Sequence, residues 1–312
     1  MESSKNRLLE LHPDTVEYVR KEINLDKPGR IDEALDLLEE WVKMQNHFVK
    51  KDIPRIYLET TLVTAKGSIE RAKQKLDKLC TLRTLMPEFF PTTVTKEIFT
   101  PLEDFVIQAH LPKLTKEHNR VYMLKILSDN FDSNLVQTYY KYIVVASEYC
   151  KRNDYNAGFV LICDYRDINI LNFVTKISPM NLKHIFTLMT EGYGMRIKKI
   201  LIMSGSKMVD SLVSLFKQTL SAKLGERIDV VKNLDSLHEV IEKDMLPEDF
   251  GGKEKPLRAL YERCLENFCS KDNVDFFLEM NKAKTDETCR QSGVFNEQYV
   301  GMPGSFRALS VD

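Results

Sequence analysis

Glycine is scarce: twelve in 312 residues, against a usual share of about 7%. A loop that cradles phosphates needs several glycines close together, because only their backbone approaches the anion freely. No Gly-x-Gly-x-x-Gly and no P-loop run occurs, so nucleotide binding by the commonest routes is disfavoured. An excess of one charge is also missing. Lys and Arg number 45 and Asp and Glu 46, so only a local basic patch could serve an anionic partner, and no nucleic acid is expected. Long apolar runs are absent: residues 159–163 and 200–203 are typical of the longest, far short of the ~20 a membrane span needs. Residues 1–11 are polar and charged, without the apolar stretch of a secretory signal, so a cytoplasmic protein is expected. The six cysteines form no Cys-x-x-Cys pair and several fall within apolar patterns. That predicts free thiols rather than disulfides.

Catalytic signatures are just as thin. None of the six histidines pairs with another at metal-ligand spacing, and His238-Glu239 lacks the second histidine of a zinc-protease helix. Neither a metal nor a cofactor is expected. Ser204-Gly205-Ser206 follows an apolar run and precedes a helix, as a nucleophile elbow does, but lacks the Gly-x-Ser-x-Gly frame. A helix N-cap is the simpler reading of Ser204. His184 falls on a mostly apolar helix and reads as a core histidine. Asp164, at the end of an apolar run, reads as an anchor for the loop that follows. The chain is not expected to be an enzyme.

What is present is a change of period. Up to about residue 90 the pattern is helical. Apolar side chains recur at Ile31, Ala34, Leu35, Leu38, Trp41 and Val42 after the Lys27-Pro28-Gly29 break, and at Ile69, Ala72, Leu76, Leu79 and Cys80 after a candidate N-cap, Ser68. Met86-Pro87 and Phe90-Pro91 close this region, since proline cannot continue a helix. Beyond it, residues 120–126, Gly158–Asp164, 197–204 and 227–231 read as short strands, the middle two buried on both faces. Helices are expected at 134–152, at 179–191 and after residue 206, with one more beyond residue 255. Strands alternating with helices predict an α/β layer with crossovers. The expected units are a helical bundle at 1–91, an α/β domain at 92–255, and a C-terminal helix and tail at 256–312.

Leu246-Pro247-Glu248-Asp249-Phe250-Gly251-Gly252 is the most informative stretch. It resembles the Leu-Pro-x-x-Phe/Tyr-Gly-Gly signature that closes the lipid-binding domain of the CRAL-TRIO family. The order before it is similar too: a charged helical N-terminus, a strand ending in Asp164, a helix opening at Pro179, then Tyr193-x-x-Arg196. Ile53-Pro54-Arg55 through Lys75 looks like the family's N-terminal region, without its Phe-Leu-Arg-Ala-Arg element, and the tail Gly304-Ser305-Phe306-Arg307 is similar to that of arthropod members. Two stretches depart from the pattern. Ser204-Gly205-Ser206 stands where Asn-x-Pro is usual, and Tyr165-Arg166-Asp167 where glycine is common.

The resemblance implies an α/β lipid-binding domain behind an N-terminal all-helical bundle, with a mobile gate helix over the cavity. Val209, Leu212, Val213, Phe216 and Leu220 form the apolar stripe of that helix. Core, cargo or membrane lipid could each satisfy the stripe, at roughly 1.5–3 kcal/mol per buried side chain. By similarity to the family's tocopherol carrier, Phe159, Ile185, Leu188, Met189, Met195, Leu212, Leu215 and Phe216 would touch cargo. Arg196, Lys198, Lys223 and Arg227 would bind phosphoinositide head groups, with Lys199 adding charge. The implied function is a monomeric carrier of one tocopherol, retinoid, carotenoid or similar lipid, exchanged transiently at anionic membranes. The alternative is a phosphoinositide-sensing signalling or scaffold module of the same fold.

Overall fold

A computed structural model describes residues 8–290. Four helices come first, α1 (Thr15–Glu22), α2 (Arg30–Met44), α3 (Arg55–Thr64) and α4 (Ile69–Leu85), followed by a single turn, α5 (Lys96–Phe99). Most of both expected faces is buried, Ile31, Ala34, Leu35, Leu38 and Val42 on α2 and Ala72, Leu76, Leu79 and Cys80 on α4, while Trp41 and Ile69 are only partly buried. The Ser68 hydroxyl accepts from the Arg71 amide at 3.4 Å, capping α4.

Strands β1 (Val106–Leu114) and β2 (Asn119–Ile126) form an antiparallel pair, and α6 (Ser133–Asn153) leads to β3 (Gly158–Asp164). Helices α7 (Ile170–Lys176) and α8 (Pro179–Thr187) connect to β4 (Ile197–Met203). Helices α9 (Val209–Thr219) and α10 (Ala222–Gly225) connect to β5 (Ile228–Val231), and α11 (Leu234–His238), α12 (Leu257–Phe268) and α13 (Lys271–Met280) complete the order. The sheet runs β1-β2-β3-β4-β5, with every pair after the first parallel. This is the α/β domain behind a helical N-terminal region that the change of period predicted.

Several elements differ from the sequence reading. The edge strand β1 was not anticipated, because Pro112 interrupts its apolar pattern. Proline is tolerated at an edge or a bulge, and the register does shift between His110 and Leu114. Helix α7 was also missed, and the single C-terminal helix is two, broken at Ser270. The helix opening at Pro179 widens into a π-helical turn over Leu188–Gly192. Ser204 does not cap α9. Its hydroxyl accepts from the Ser206 amide at 3.2 Å in the preceding turn, and Met208 occupies the cap position. The tail at residues 304–307 lies outside the described residues.

Two buried ion pairs fix the frame. Arg120 on β2 is fully buried and forks onto Asp154, with Nε and Nη2 at 2.9 and 2.7 Å from the carboxylate. Burial alone would raise the Asp154 carboxyl, but Arg120 holds it below the ordinary value. Arg83 on α4 pairs with Glu148 on α6, both buried, and the same carboxylate oxygen accepts from the hydroxyls of Tyr57 and Tyr193. Removing one partner of such a pair typically costs 3–5 kcal/mol, so the N-terminal helices are tied firmly to α6.

The Leu246–Gly252 stretch shows why it needs both glycines. Gly251 has φ +73°, and a Cβ on Gly252 would lie 1.9 Å from the Leu246 carbonyl oxygen. The turn buries Phe250, whose ring carries the Arg166 guanidinium at 5.4 Å. Arg166 in turn pairs with buried Asp164 at 2.9 Å, so Asp164 anchors the loop after β3 as expected.

Candidate functional site

One face of the sheet does not meet the helices above it completely. A cavity of about 140 Å³ remains between β1–β4 and helices α6 to α9. From β3 and the residue after it, Phe159, Leu161, Cys163 and Tyr165 line it, alternate residues of one face. Tyr122, Leu124 and Ile126 do the same from β2, and His110 from β1. Helix α6 supplies Val136, Tyr139, Tyr140, Ile143, Ala146 and Ser147, a stripe at three-and-four spacing. Phe173, Ile177, Leu182, Ile185, Phe186 and Met189 close the far wall, and Leu215 and Phe216 of α9 form part of the roof.

Six of the eight residues expected at the cargo converge here: Phe159, Ile185, Met189, Met195, Leu215 and Phe216. Leu188 and Leu212 do not line the wall, though both are fully buried. The π-helical turn rotates Leu188 toward α4, where it meets Leu79 and Leu82 around Gly192. Leu212 lies off the cavity, on a helix that rests on α7 and α8. The whole α6 stripe and the four residues from β1 and β2, His110, Tyr122, Leu124 and Ile126, were missed by the sequence reading.

The wall is neutral at pH 7. Among the described residues no Lys, Arg, Asp or Glu lines it. Burial pushes the Cys163 thiol up to about 12 and raises the Tyr139 and Tyr165 hydroxyls well above their ordinary range. The same desolvation pulls the His110 imidazole down to about 4. Several polar groups are already satisfied: Tyr122 donates to Gln108 Oε1, and Ser147 to the Ile143 carbonyl at 2.7 Å. Such a space can hold an uncharged apolar molecule and offers an ion nothing.

Residues 108–252 match the family model of the CRAL/TRIO domain. The chain carries a CRAL/TRIO domain. Domains of this family bind and transfer lipids, which accords with a neutral, largely apolar cavity. Residues 27–93 match a second model, the Pinta-like UBA domain. The chain is similar to alpha-tocopherol transfer protein-like of Mus musculus, at 25% identity over 96 residues, and to that of Homo sapiens, at 24%. Each match spans 30% of this chain and 28% of the relative. Among solved structures it is similar to the crystal structure of Sfh5, at 11% identity and a TM-score of 0.48, over 87% of this chain and 97% of that one.

Outside the cavity, the CRAL/TRIO domain places basic side chains together at the start of β4. Arg227 disfavours the charge on Arg196, and Arg196, Arg227 and Lys66 of the N-terminal region that on Lys198, while Glu22 opposes both effects. Burial first, then repulsion from these neighbouring cations, lowers the Arg196 and Lys198 values. Arg227 donates to the Ile197 carbonyl, which sets its direction. Lys223 is exposed on α10, one turn before Arg227, whereas Lys199 is engaged by Asp229 at 3.2 Å. Among the described residues the four predicted cations make no ion pair. Ser204 is buried with no histidine or carboxylate bonded to it, and His184 is half-buried with its value lowered by desolvation. No helix among the described residues is long and apolar enough to cross a membrane.

Proposed function

We propose that the protein is an intracellular carrier that encloses one small hydrophobic molecule, a tocopherol, retinoid, carotenoid or similar lipid, and exchanges it at phosphoinositide-containing membranes without covalent chemistry. The observation that carries this reading is the neutral, apolar cavity roofed by α9. Its volume of about 140 Å³ is close to that of a space that takes one benzene, about 150 Å³. Ligand pockets of drug-sized molecules run to roughly 300–1,000 Å³, so a lipid of that size enters only with displacement of the roof. The adaptable Met189 and Met195 on the wall suit such a change.

The gate region favours membrane exchange. Leu171 on α7, Met180 on α8 and Met208 before α9 are large apolar side chains exposed at 45%, 58% and 40%. They belong to the three helices that would have to part, and the unpaired cations at β4 and α10 suit an anionic leaflet. Native mass spectrometry of the purified protein, followed by lipid extraction, tests the reading directly. One apolar molecule per chain, transferable between vesicles, is expected. Absence of any extractable lipid, together with no saturable uptake of fluorescent lipid analogues, would overturn it. Binding of phosphoinositide vesicles without transfer would favour the sensing module instead.

A further inference from the structure

We propose that His110 is the head-group site of the cavity, and that the cargo is an uncharged amphiphile whose single hydroxyl or carbonyl bonds to this imidazole with its tail toward the gate. The inference rests on the carrier reading and adds the ligand's chemical class and its orientation.

His110 is 3% exposed and its ring lines the cavity. The His110 ring makes no hydrogen bond among the described residues, and the cavity it lines is the space left for a partner. Tyr122 lies directly across the β1–β2 pair, with the two ring centroids 4.8 Å apart. Its hydroxyl donates to Gln108 Oε1, and the Gln108 amide nitrogen, two residues back on the same face of β1, is itself buried without a partner. Hydrogen-bonding capacity without a protein partner among the described residues is thus present at this end of the space, as it is further along at the Tyr139, Tyr140 and Tyr165 hydroxyls.

Protonation fixes which head fits. The imidazole is neutral at pH 7, because burial holds its value near 4. One nitrogen then donates and the other accepts, which matches a hydroxyl on both counts and a carbonyl on one. A carboxylate would be an unpaired buried charge, since no cation lines the wall.

The strands fix the direction. The His110 ring is 6.3 Å from Phe159 at the start of β3, while the gate residue Phe216 is 6.5 Å from Tyr165 beyond its end. Tyr165 lies six residue steps beyond Phe159, about 20 Å at the usual rise. The head site and the gate are therefore at opposite ends, and a bound amphiphile would enter head first.

The test uses 1-decanol, decanoate and decane, each displacing a fluorescent lipid probe from the full-length wild type and from His110→Phe. The expected result is that the variant loses about tenfold in decanol affinity, one net hydrogen bond, and nothing in decane affinity. Decanoate should bind the wild type more weakly than decanol does. Should the variant fail to fold, ¹⁵N NMR of the wild-type histidines supplies the answer: decanol should shift the His110 ring nitrogens and decane should not. Equal decanol affinities for the two proteins, or no decanol-specific shift at His110, would overturn the proposal while leaving the carrier reading intact. Absence of saturable binding of the fluorescent lipid itself, in both proteins, would sink the carrier reading and this inference with it.

Discussion

Filling the cavity separates a ligand site from an incidental packing defect. Ala146 is on the α6 stripe, 2% exposed, and its methyl group lines the space. Ala146→Phe adds a ring to a volume of about 140 Å³, and a void of about 150 Å³ takes one benzene. At about 24 cal/mol per Å³, an empty space of this size carries a stability deficit of about 3 kcal/mol. Phe in place of Ala within a helix gives back about 0.5 kcal/mol, and imperfect fit costs about 1–3 kcal/mol. The lipid-free variant should therefore stay within about 2 kcal/mol of the wild type in urea unfolding. Its lipid affinity should fall at least a hundredfold, because ring and cargo compete for one space. Assays are urea melts of delipidated protein and a fluorescent-lipid titration. A variant as stable as the wild type that also binds lipid as tightly would refute the assignment of this cavity.

Other perturbations address the gate, the basic cluster, the signature turn and the histidine. Phe216→Asp should slow transfer to vesicles at least tenfold, because a side chain that exchanges cavity for bilayer is then charged; if the variant simply unfolds, and wild-type α9 shows no opening by hydrogen exchange, Phe216 is ordinary core. The double variant Arg196→Ala/Lys223→Ala should bind phosphoinositide vesicles about tenfold or more weakly at low salt, at about 1 kcal/mol per charge, with neutral vesicles unaffected; equal co-sedimentation of the two proteins would return the cluster to a solvated face. Gly252→Ala should cost at least about 3 kcal/mol, since its methyl meets backbone at 1.9 Å, and an unfolding midpoint like the wild type's would contradict that geometry. Burial lowers His110 from 6.5 to about 4, so the unfolded chain takes the proton first as pH falls. The stability is full above about pH 6.5 and is lost toward pH 4, by about 2–3 kcal/mol at pH 4.5. His110→Phe should lose correspondingly less between pH 7 and 4.5, and an unchanged difference in urea melts would show the imidazole to be solvated.

The legible parts of the fold were those where one periodicity met one solvent boundary. Helices α2 and α4 carry an apolar stripe at helical spacing, so the apolar part of each buried face could largely be named in advance, though not the buried Asp77 and Arg83 of α4. β3 and β4 were recognisable as apolar runs. A strand buried on both faces carries no polar contrast to say which residues face the helices, however, so Phe159 came from resemblance, and Leu161, Cys163 and Tyr165 went unnamed. β1 was hidden by Pro112, and with it went His110. Arg83 and Glu148 were unreadable for the opposite reason. Charge on a helix reads as a solvated face, and only the fold shows that these two meet each other in the core. Leu188 and Leu212 mark the limit of transfer by resemblance. The local turn at Leu188–Gly192 decides where a side chain points, and that turn is not written in the pattern.

The same contrast explains how a firm frame coexists with a site that has to open. The frame is held by directional contacts: Arg120 on Asp154, Arg83 and two tyrosines on Glu148, Arg166 between Asp164 and Phe250. Each depends on geometry, and displacement would strand a buried charge. α9 is held otherwise. Among the described residues its side chains make no ion pair, and its side-chain hydrogen bonds stay within the helix, as with Thr219 to Leu215 and Gln218 to Ser214. What fastens it to α7 and α8 is apolar contact, through residues such as Leu212, Leu215 and Phe216. Apolar attraction is non-directional and scales with the area removed from water, so lipid or a bilayer can replace the contacts that opening breaks. Opening the cavity at α9 therefore exchanges equivalent interactions, while opening it anywhere on the α6 or sheet side would break specific ones.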